Sequence, residues 1–181
     1  MLTRFDPFTD RRSRDIRNLL TEALVAADDK RHLTLVQTAA QDLLARNPDR
    51  VYQDYIRDRL ARYRQVWPDL AAVAPSDNLR KALALWRRNL FFEVHAFLEA
   101  EWLSTTGPRR RALQALIQAA AVYVHREFGH TRSAARLAAK AVGNLADCRA
   151  ELTAIDNLED LLQGLRDPGA PPPLLQVVDA P

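Results

Sequence analysis

Apolar residues recur at three- and four-residue spacing along most of the chain, which is the pattern of helices that bury one face. In the N-terminal part this spacing predicts three helices, with apolar stripes over 16–27, 33–44 and 51–63. Asn47-Pro48 and Trp67-Pro68 are predicted to close the second and third, because the residue before a proline is pushed out of helical backbone. No segment alternates in the manner of a strand, so the expected fold class is all-α.

The second half of the sequence predicts a helical hairpin. A helix over about 79–103 and another over 108–128 are separated by Thr105-Thr106-Gly107-Pro108, and proline suits the first turn of a new helix. An Ala-rich helix over 132–145 follows, and Asp156 can cap a short last helix. These elements predict a helical bundle of about six to seven helices, with a central αα-hairpin around residues 79–128.

The segment 68–78 is the best candidate for a boundary, because it is rich in residues that form turns and cap helices. These residues are Pro68, Pro75, Ser76 and Asp77. We therefore expect an N-terminal three-helix extension, 1–68, that packs on a helical bundle formed by 69–167. The Pro-rich tail, 168–181, cannot continue a helix and should be extended or mobile.

Composition and charge favour an ordinary globular protein. The chain has 181 residues, of which 48% are hydrophobic and 27% charged, and its net charge of +3 is spread over the whole length. A single cysteine, Cys148, excludes an intramolecular disulfide and a cysteine-based zinc site. The chain starts without an apolar signal core, and its longest apolar run, 119–124, is far shorter than the roughly 20 residues of a membrane helix. We expect a soluble, cytoplasmic protein without a membrane partner.

The candidate chemistry lies on one flank of the hairpin. At about 100° per residue, His95 and Glu99 are neighbours at the edge of the first helix's apolar stripe. Gln114, Gln118 and His125 form a straight polar line beside the core on the second helix. If the two helices fold back on each other, Glu99 comes opposite Gln114 and His95 opposite Gln118. The two polar flanks are then expected to converge on one edge.

A converging edge of this kind fits two functions. The first is a non-enzymatic bundle that binds a small molecule or a protein partner, and the apolar stripe that remains could also form a homodimer. The second is a hydrolase-like enzyme, acid–base or metal-assisted, in which Glu99 holds a proton of His95 and orients the other ring nitrogen. The simpler interpretation of this pair is a local hydrogen bond between side chains one helical turn apart.

No metal ligand or cofactor is assigned from the sequence. His95, Glu99 and His125 could supply three ligands, but the chain lacks the Glu-x-x-His spacing of bundle metal sites. Trp102 is expected to anchor the core or the hairpin, and its indole N–H needs a partner if it is buried. Glu101 points into the apolar arc, where it could extend to solvent near the helix end or pair with an arginine of the N-terminal helices, and we expect the second.

Two arginine clusters raise a third function, association with nucleic acid. They are Arg11, Arg12, Arg14 and Arg17 at the start of the chain, and Arg109, Arg110 and Arg111 at the start of the second hairpin helix. No aromatic–basic interleaving or nucleic-acid motif accompanies them, so a solvated face is the stronger interpretation and a nucleic-acid partner is disfavoured. The second cluster opposes the helix dipole, which makes a bound anion conceivable there.

The hairpin resembles a known family. Its first helix reads Phe92-Glu93-Val94-His95, then Leu98-Glu99 and Trp102; after Gly107-Pro108 the second reads Leu113-Gln114, Leu116-Ile117-Gln118-Ala119-Ala120, Tyr123 and His125. With the Ala-rich third helix, this combination over about 79–147 resembles domain-of-unknown-function family 309. The resemblance implies a compact all-α bundle without an established activity. It also implies a candidate ligand-binding set of His95, Glu99, Trp102, Gln114, Gln118 and His125.

The sequence departs from the family pattern at two places. The family's glutamate directly after the histidine is Ala96 here, and Val124 separates Tyr123 from His125. If that glutamate is a base or ligand in relatives, this chain lacks it. The departure weakens a catalytic role and leaves ligand or partner binding as the preferred function.

Overall fold

The computed structural model describes residues 4–178. The chain divides into two compact units, Met1–Ser76 and Asp77–Pro181, and this division falls inside the connector expected at 68–78. The regular structure of the described residues consists of eight α-helices and one 3₁₀ turn, with one isolated antiparallel bridge between Ile155 and Val177. The all-α prediction is confirmed. None of these helices combines the length and the apolar character that crossing a bilayer requires.

The N-terminal unit consists of three helices, α1 (Arg11–Lys30), α2 (Thr34–Arg46) and α3 (Arg50–Ala72), each in contact with the other two. Asp10 caps α1, because its carboxylate accepts hydrogen bonds from the backbone N–H groups of Arg12 and Ser13. Most of the predicted apolar stripes are buried, although Leu19 of the first stripe is 47% exposed; the large buried members include Ile16, Leu20, Leu24, Val36, Ile56 and Tyr63. Spacing alone therefore located these helices. Packing of this unit on the bundle stays a prediction.

The end of α3 differs from the prediction that Trp67-Pro68 closes it. The helix continues through Pro68 to Ala72. Proline costs this helix one backbone hydrogen bond, but Val66 and Leu70 on either side of it are fully buried, so packing outweighs the local cost. Arg31 provides hydrogen-bond partners for carbonyl groups at the C-terminal end of α3. Its guanidinium donates to the carbonyls of Leu70 and Val73 at 3.1 and 2.8 Å.

The C-terminal unit contains the hairpin and the helices that follow it. Its elements are α4 (Asn78–Trp86), α5 (Phe91–Ser104), α6 (Gly107–Glu127), α7 (Thr131–Asp147), the 3₁₀ turn (Arg149–Glu151) and α8 (Leu158–Arg166). Each α-helix packs on the next along the chain. Asp77 caps α4 by accepting from the Arg80 N–H at 3.0 Å, and Pro108 lies in the first turn of α6, both as predicted. The hairpin expected from the sequence is therefore the pair α5 and α6.

The prediction of a single helix over 79–103 is wrong, because a turn separates α4 from α5. Asn89 takes left-handed backbone with φ 55°, and its N–H donates to the carbonyl of Trp86 at 2.9 Å. The Leu90 N–H donates to the carbonyl of Leu85 at 3.1 Å. These two bonds form a Schellman motif, which asparagine tolerates better than most residues and which the buried Leu90 anchors. The apolar spacing runs on across the break and therefore hides it.

Two helical glycines have different surroundings, which gives a matched pair of substitutions. Outside the local helix backbone, nothing lies within 4 Å of a Cβ added at Gly143, whereas a Cβ at Gly164 would lie 3.0 Å from the Tyr123 hydroxyl and 3.3 Å from Pro173 Cδ. We expect Gly143→Ala to raise the free energy of unfolding by about 0.5–1 kcal/mol, because alanine favours helix. Gly164→Ala should lower it, since buried Tyr123 must move. Urea denaturation followed by circular dichroism measures both, and stabilisation by both would contradict this prediction.

Candidate functional site

Arg109 closes the end of the hairpin where α5 meets α6. Its guanidinium donates to Glu101 Oε1 through Nη2 at 2.8 Å and through Nε at 3.2 Å, and also to the carbonyl of Glu151 at 3.1 Å. Glu101 therefore pairs with an arginine of α6, and the expected partner from the N-terminal helices is wrong. The short turn explains this pairing, because it brings the first turn of α6 back beside the last turn of α5.

Trp102 forms the second contact at this end of the hairpin. The Arg110 guanidinium carbon lies 4.1 Å from the centroid of the half-buried indole, a cation–π distance. The same guanidinium donates to the carbonyls of Trp102 at 2.7 Å and Thr105 at 3.1 Å. The indole Nε1 is buried and makes no hydrogen bond within residues 4–178. Two of the three arginines that open α6 are thus used by the hairpin itself.

The α5 side of the predicted edge carries no polar network. The His95 ring is half-buried and lies 6.2 Å from the Phe92 ring, centroid to centroid. Glu99 and Gln114 are exposed. In the described part of the chain none of the side chains of His95, Glu99 and Gln114 makes a hydrogen bond or an ion pair, so Glu99 does not hold the imidazole.

The α6 side of the edge is bound to α7 instead. Gln118 Oε1 accepts a hydrogen bond from Asn144 Nδ2 at 2.9 Å, which joins α6 to the last turn of α7. His125 is half-buried at the end of α6, with its ring centroid 6.0 Å from that of His130. The His130 N–H donates to the His125 carbonyl at 2.9 Å, so the turn after α6 fixes both residues.

A depression of about 560 Å³ lies beside His125. Its remaining lining comes from α7: Ser133, Arg136, Leu137, Ala139 and Lys140. Arg136 and Lys140 are exposed and one helical turn apart, so both stand on the same side of α7. None of the lining side chains is acidic. The depression therefore combines two exposed positive charges with a hydroxyl, an imidazole and an apolar patch.

The N-terminal arginines make contacts inside their own unit. Arg12 donates to Asn47 Oδ1 at 2.6 Å and to the Arg46 carbonyl at 3.0 Å, and Arg14 donates to the Pro7 carbonyl at 3.1 Å. Arg17 donates to Asn18 Oδ1, and Arg11 lies 3.8 Å from the Asp15 carboxylate. His95, Glu99 and His125 have side chains of the types that bind metals, but no group of three histidine, cysteine or acidic side chains suited to a metal occurs among residues 4–178.

Sequence reasoning missed an aromatic cluster between α4 and α6. Trp86, Phe91 and Tyr123 are buried, with ring centroids 5.0 to 5.3 Å apart. Burial raises the pKa of Tyr123 to about 12, and the neighbouring Arg126 guanidinium opposes this rise. The signal available in the sequence was an aromatic residue on each of three helical segments, but helical spacing does not say which of them meet.

The Pro-rich segment lies against this cluster. Expected to be extended or mobile, it forms no helix in the part that the structure describes and is extended at Val177, which makes the bridge to Ile155. Its backbone is also held by side chains of the bundle. The Trp86 indole donates to the Pro173 carbonyl at 2.9 Å, and Arg87 Nε donates to the Leu175 carbonyl at 3.1 Å. Asn157 donates to the Leu174 carbonyl and accepts from the Gln176 N–H. Residues 179–181 of the predicted tail lie outside the described residues.

These helices and their hairpin were compared with known proteins. Residues 79–137 match the family described as Domain of unknown function (DUF309). The match spans α4, α5, α6 and the first part of α7, and it confirms the resemblance found in the hairpin motifs. All six candidate residues, from His95 to His125, lie inside the matched DUF309 segment, whereas α8 and the Pro-rich tail lie beyond it. No curated protein and no solved structure matched the chain.

Proposed function

We propose that this protein is a binding module that takes a small anion in the depression beside His125. The observation that carries the proposal is the lining of that depression, where Arg136 and Lys140 stand one turn apart with no acidic side chain between them. The depression has a volume of about 560 Å³ and is open to solvent, which suits a small polar ligand. Leu137 and Ala139 offer apolar surface to the carbon skeleton of such a ligand.

The six residues predicted from the sequence take different parts in this proposal. His125 touches the ligand, and its imidazole can donate a hydrogen bond to an oxyanion. Gln118 supports the wall indirectly, because its bond to Asn144 fixes α7 one turn beyond Lys140. His95, Glu99, Trp102 and Gln114 stay predicted members of a wider ligand or partner surface. Binding is preferred to acid–base catalysis, because the catalytic alternative needs a contact between Glu99 and His95.

Titration with small anions tests the proposal. We expect at least one of citrate, malate, phosphoserine and inorganic phosphate to raise the melting temperature, since a ligand at 100 times its Kd stabilises the folded state by about 3 kcal/mol. Arg136→Gln and Lys140→Gln should each weaken binding about tenfold, as expected for the loss of one charge-assisted contact.

Arg111→Gln is the matched control, because Arg111 is exposed on α6, carries the same charge and is not part of the depression. It should leave the affinity unchanged. The proposal fails if none of the four anions shifts the melting temperature, or if all three variants weaken binding equally, which would indicate a non-specific charge effect.

A further inference from the structure

Four of the contacts that hold the Pro-rich segment share one chemical feature. Each is a hydrogen bond from a side chain to a backbone carbonyl of the segment: Arg126 to Ala170, Trp86 to Pro173, Asn157 to Leu174 and Arg87 to Leu175, at 2.9 to 3.4 Å. The end of the segment is held differently, since the Gln176 N–H donates to Asn157 Oδ1 and the Val178 N–H to the Ala154 carbonyl. Prolines have no N–H to offer, so the carbonyls are the groups that a proline-rich backbone presents for recognition. The bundle therefore recognises the course of this backbone through its carbonyl groups.

The bundle also accommodates side chains of a particular shape at two positions of the segment. Leu175 is fully buried, whereas the preceding Leu174 is 65% exposed. Gly164 lets the Pro173 ring approach α8, since an added Cβ there would stand 3.3 Å from Pro173 Cδ. A proline followed two residues later by a large apolar residue is thus the pattern that fits.

We propose that the surface formed by Trp86, Arg87, Tyr123, Arg126 and Gly164, here called the tail groove, is a recognition site for extended proline-rich segments of partner proteins, and that the chain's own residues 170–178 occupy it. Proline-rich peptides are bound elsewhere in grooves lined by aromatic side chains, and here the indole of Trp86, packed against Tyr123, donates to a proline carbonyl. The restricted backbone of consecutive prolines lowers the entropic cost of such binding.

The resident segment competes with any partner. Only Asp167, Pro168 and Gly169 connect it to the end of α8, so its effective concentration at the groove is high, on the order of millimolar. A partner peptide consequently binds weakly while the segment is seated. Releasing the segment should open the groove without changing any residue that lines it.

The test uses the full chain and a labelled synthetic peptide with the sequence of residues 168–178. Leu175→Asp places a charge at a fully buried position and should unseat the resident segment. Leu174→Asp is the matched control, because it adds the same charge at the exposed neighbour. We expect the peptide to bind Leu175→Asp at least tenfold more tightly than it binds the unaltered chain or Leu174→Asp, as measured by fluorescence anisotropy.

Two further measurements identify the groove and its ligand. Adding Trp86→Phe to Leu175→Asp removes the indole donor while it keeps an aromatic ring, and should weaken peptide binding at least fivefold. A peptide with alanine at the positions of Pro171, Pro172 and Pro173 should bind at least tenfold more weakly than the original. If circular dichroism shows that Leu175→Asp does not fold, Leu175→Ala replaces it in the same comparison.

The proposal is overturned if releasing the segment brings no gain in peptide affinity, or if the alanine peptide binds equally well. It is also overturned if the unaltered chain is a dimer that Leu175→Asp converts to monomers in light scattering, because the occupant of the groove would then be the tail of a second copy. If Trp86→Phe does not weaken peptide binding to Leu175→Asp, the peptide binds outside the tail groove, and this result also overturns the proposal.

Discussion

Replacing Trp86 with alanine is expected to lower the free energy of unfolding by about 3–5 kcal/mol, the range seen when a buried large aromatic side chain is truncated. Trp86 is 2% exposed and packs edge-on against both Phe91 and Tyr123. Its indole N–H also holds the Pro173 carbonyl, so the truncation loses a packing centre and a hydrogen bond together. Urea denaturation followed by circular dichroism measures the change.

Two companion variants separate these contributions. Trp86→Phe keeps a ring and loses the N–H, and should cost less than the alanine variant. Trp102→Ala truncates a half-buried indole whose main contact is Arg110, so its effect should be clearly smaller. Equal losses for Trp86→Ala and Trp102→Ala would show that the cluster between α4 and α6 is not the centre of this unit.

Tyr123 is expected to make the protein lose stability between pH 10 and pH 12. Its pKa is raised to about 12 in the folded protein from an ordinary value of 10.0, chiefly by burial. The unfolded chain therefore releases this proton at a lower pH than the folded chain does, and rising pH favours unfolding across that interval. Two pKa units correspond to about 3 kcal/mol, which is present below pH 10 and lost by pH 12.

Tyr123→Phe removes this titration and should flatten that part of the stability profile. At neutral pH the variant should cost about 1 kcal/mol or less, because it removes one hydroxyl and keeps the buried ring. Urea unfolding of the unaltered chain and the variant, at pH values from 9 to about 11.5, gives the difference. Tyr55→Phe in the N-terminal unit is the control, and a profile that Tyr123→Phe leaves unchanged would contradict the prediction.

The candidate edge illustrates how far helical spacing reaches. Spacing placed His95 and Glu99 on one flank of α5. It likewise placed Gln118 and His125 on one flank of α6. Each placement follows from the geometry of a single helix. Spacing could not identify the neighbour across each flank. The structure bonds Gln118 to Asn144 of α7 and places His125 beside a depression lined by that same helix. A helix predicted mainly for its small residues thereby supplies most of the proposed site.

The sequence by itself determined the helical class, the position of the hairpin, most helix ends and the family resemblance. These depend on local chemistry: apolar period, caps such as Asp77, and turn residues such as Gly107-Pro108. Tertiary structure decided the rest, because the deciding energies come from residues distant in sequence. Burial of Val66 and Leu70 carries α3 through Pro68, a Schellman motif with a buried Leu90 breaks the predicted long helix, and Trp86 holds a carbonyl of the Pro-rich segment. The balance between a local energetic cost and packing by residues distant in sequence is decided only in the folded chain.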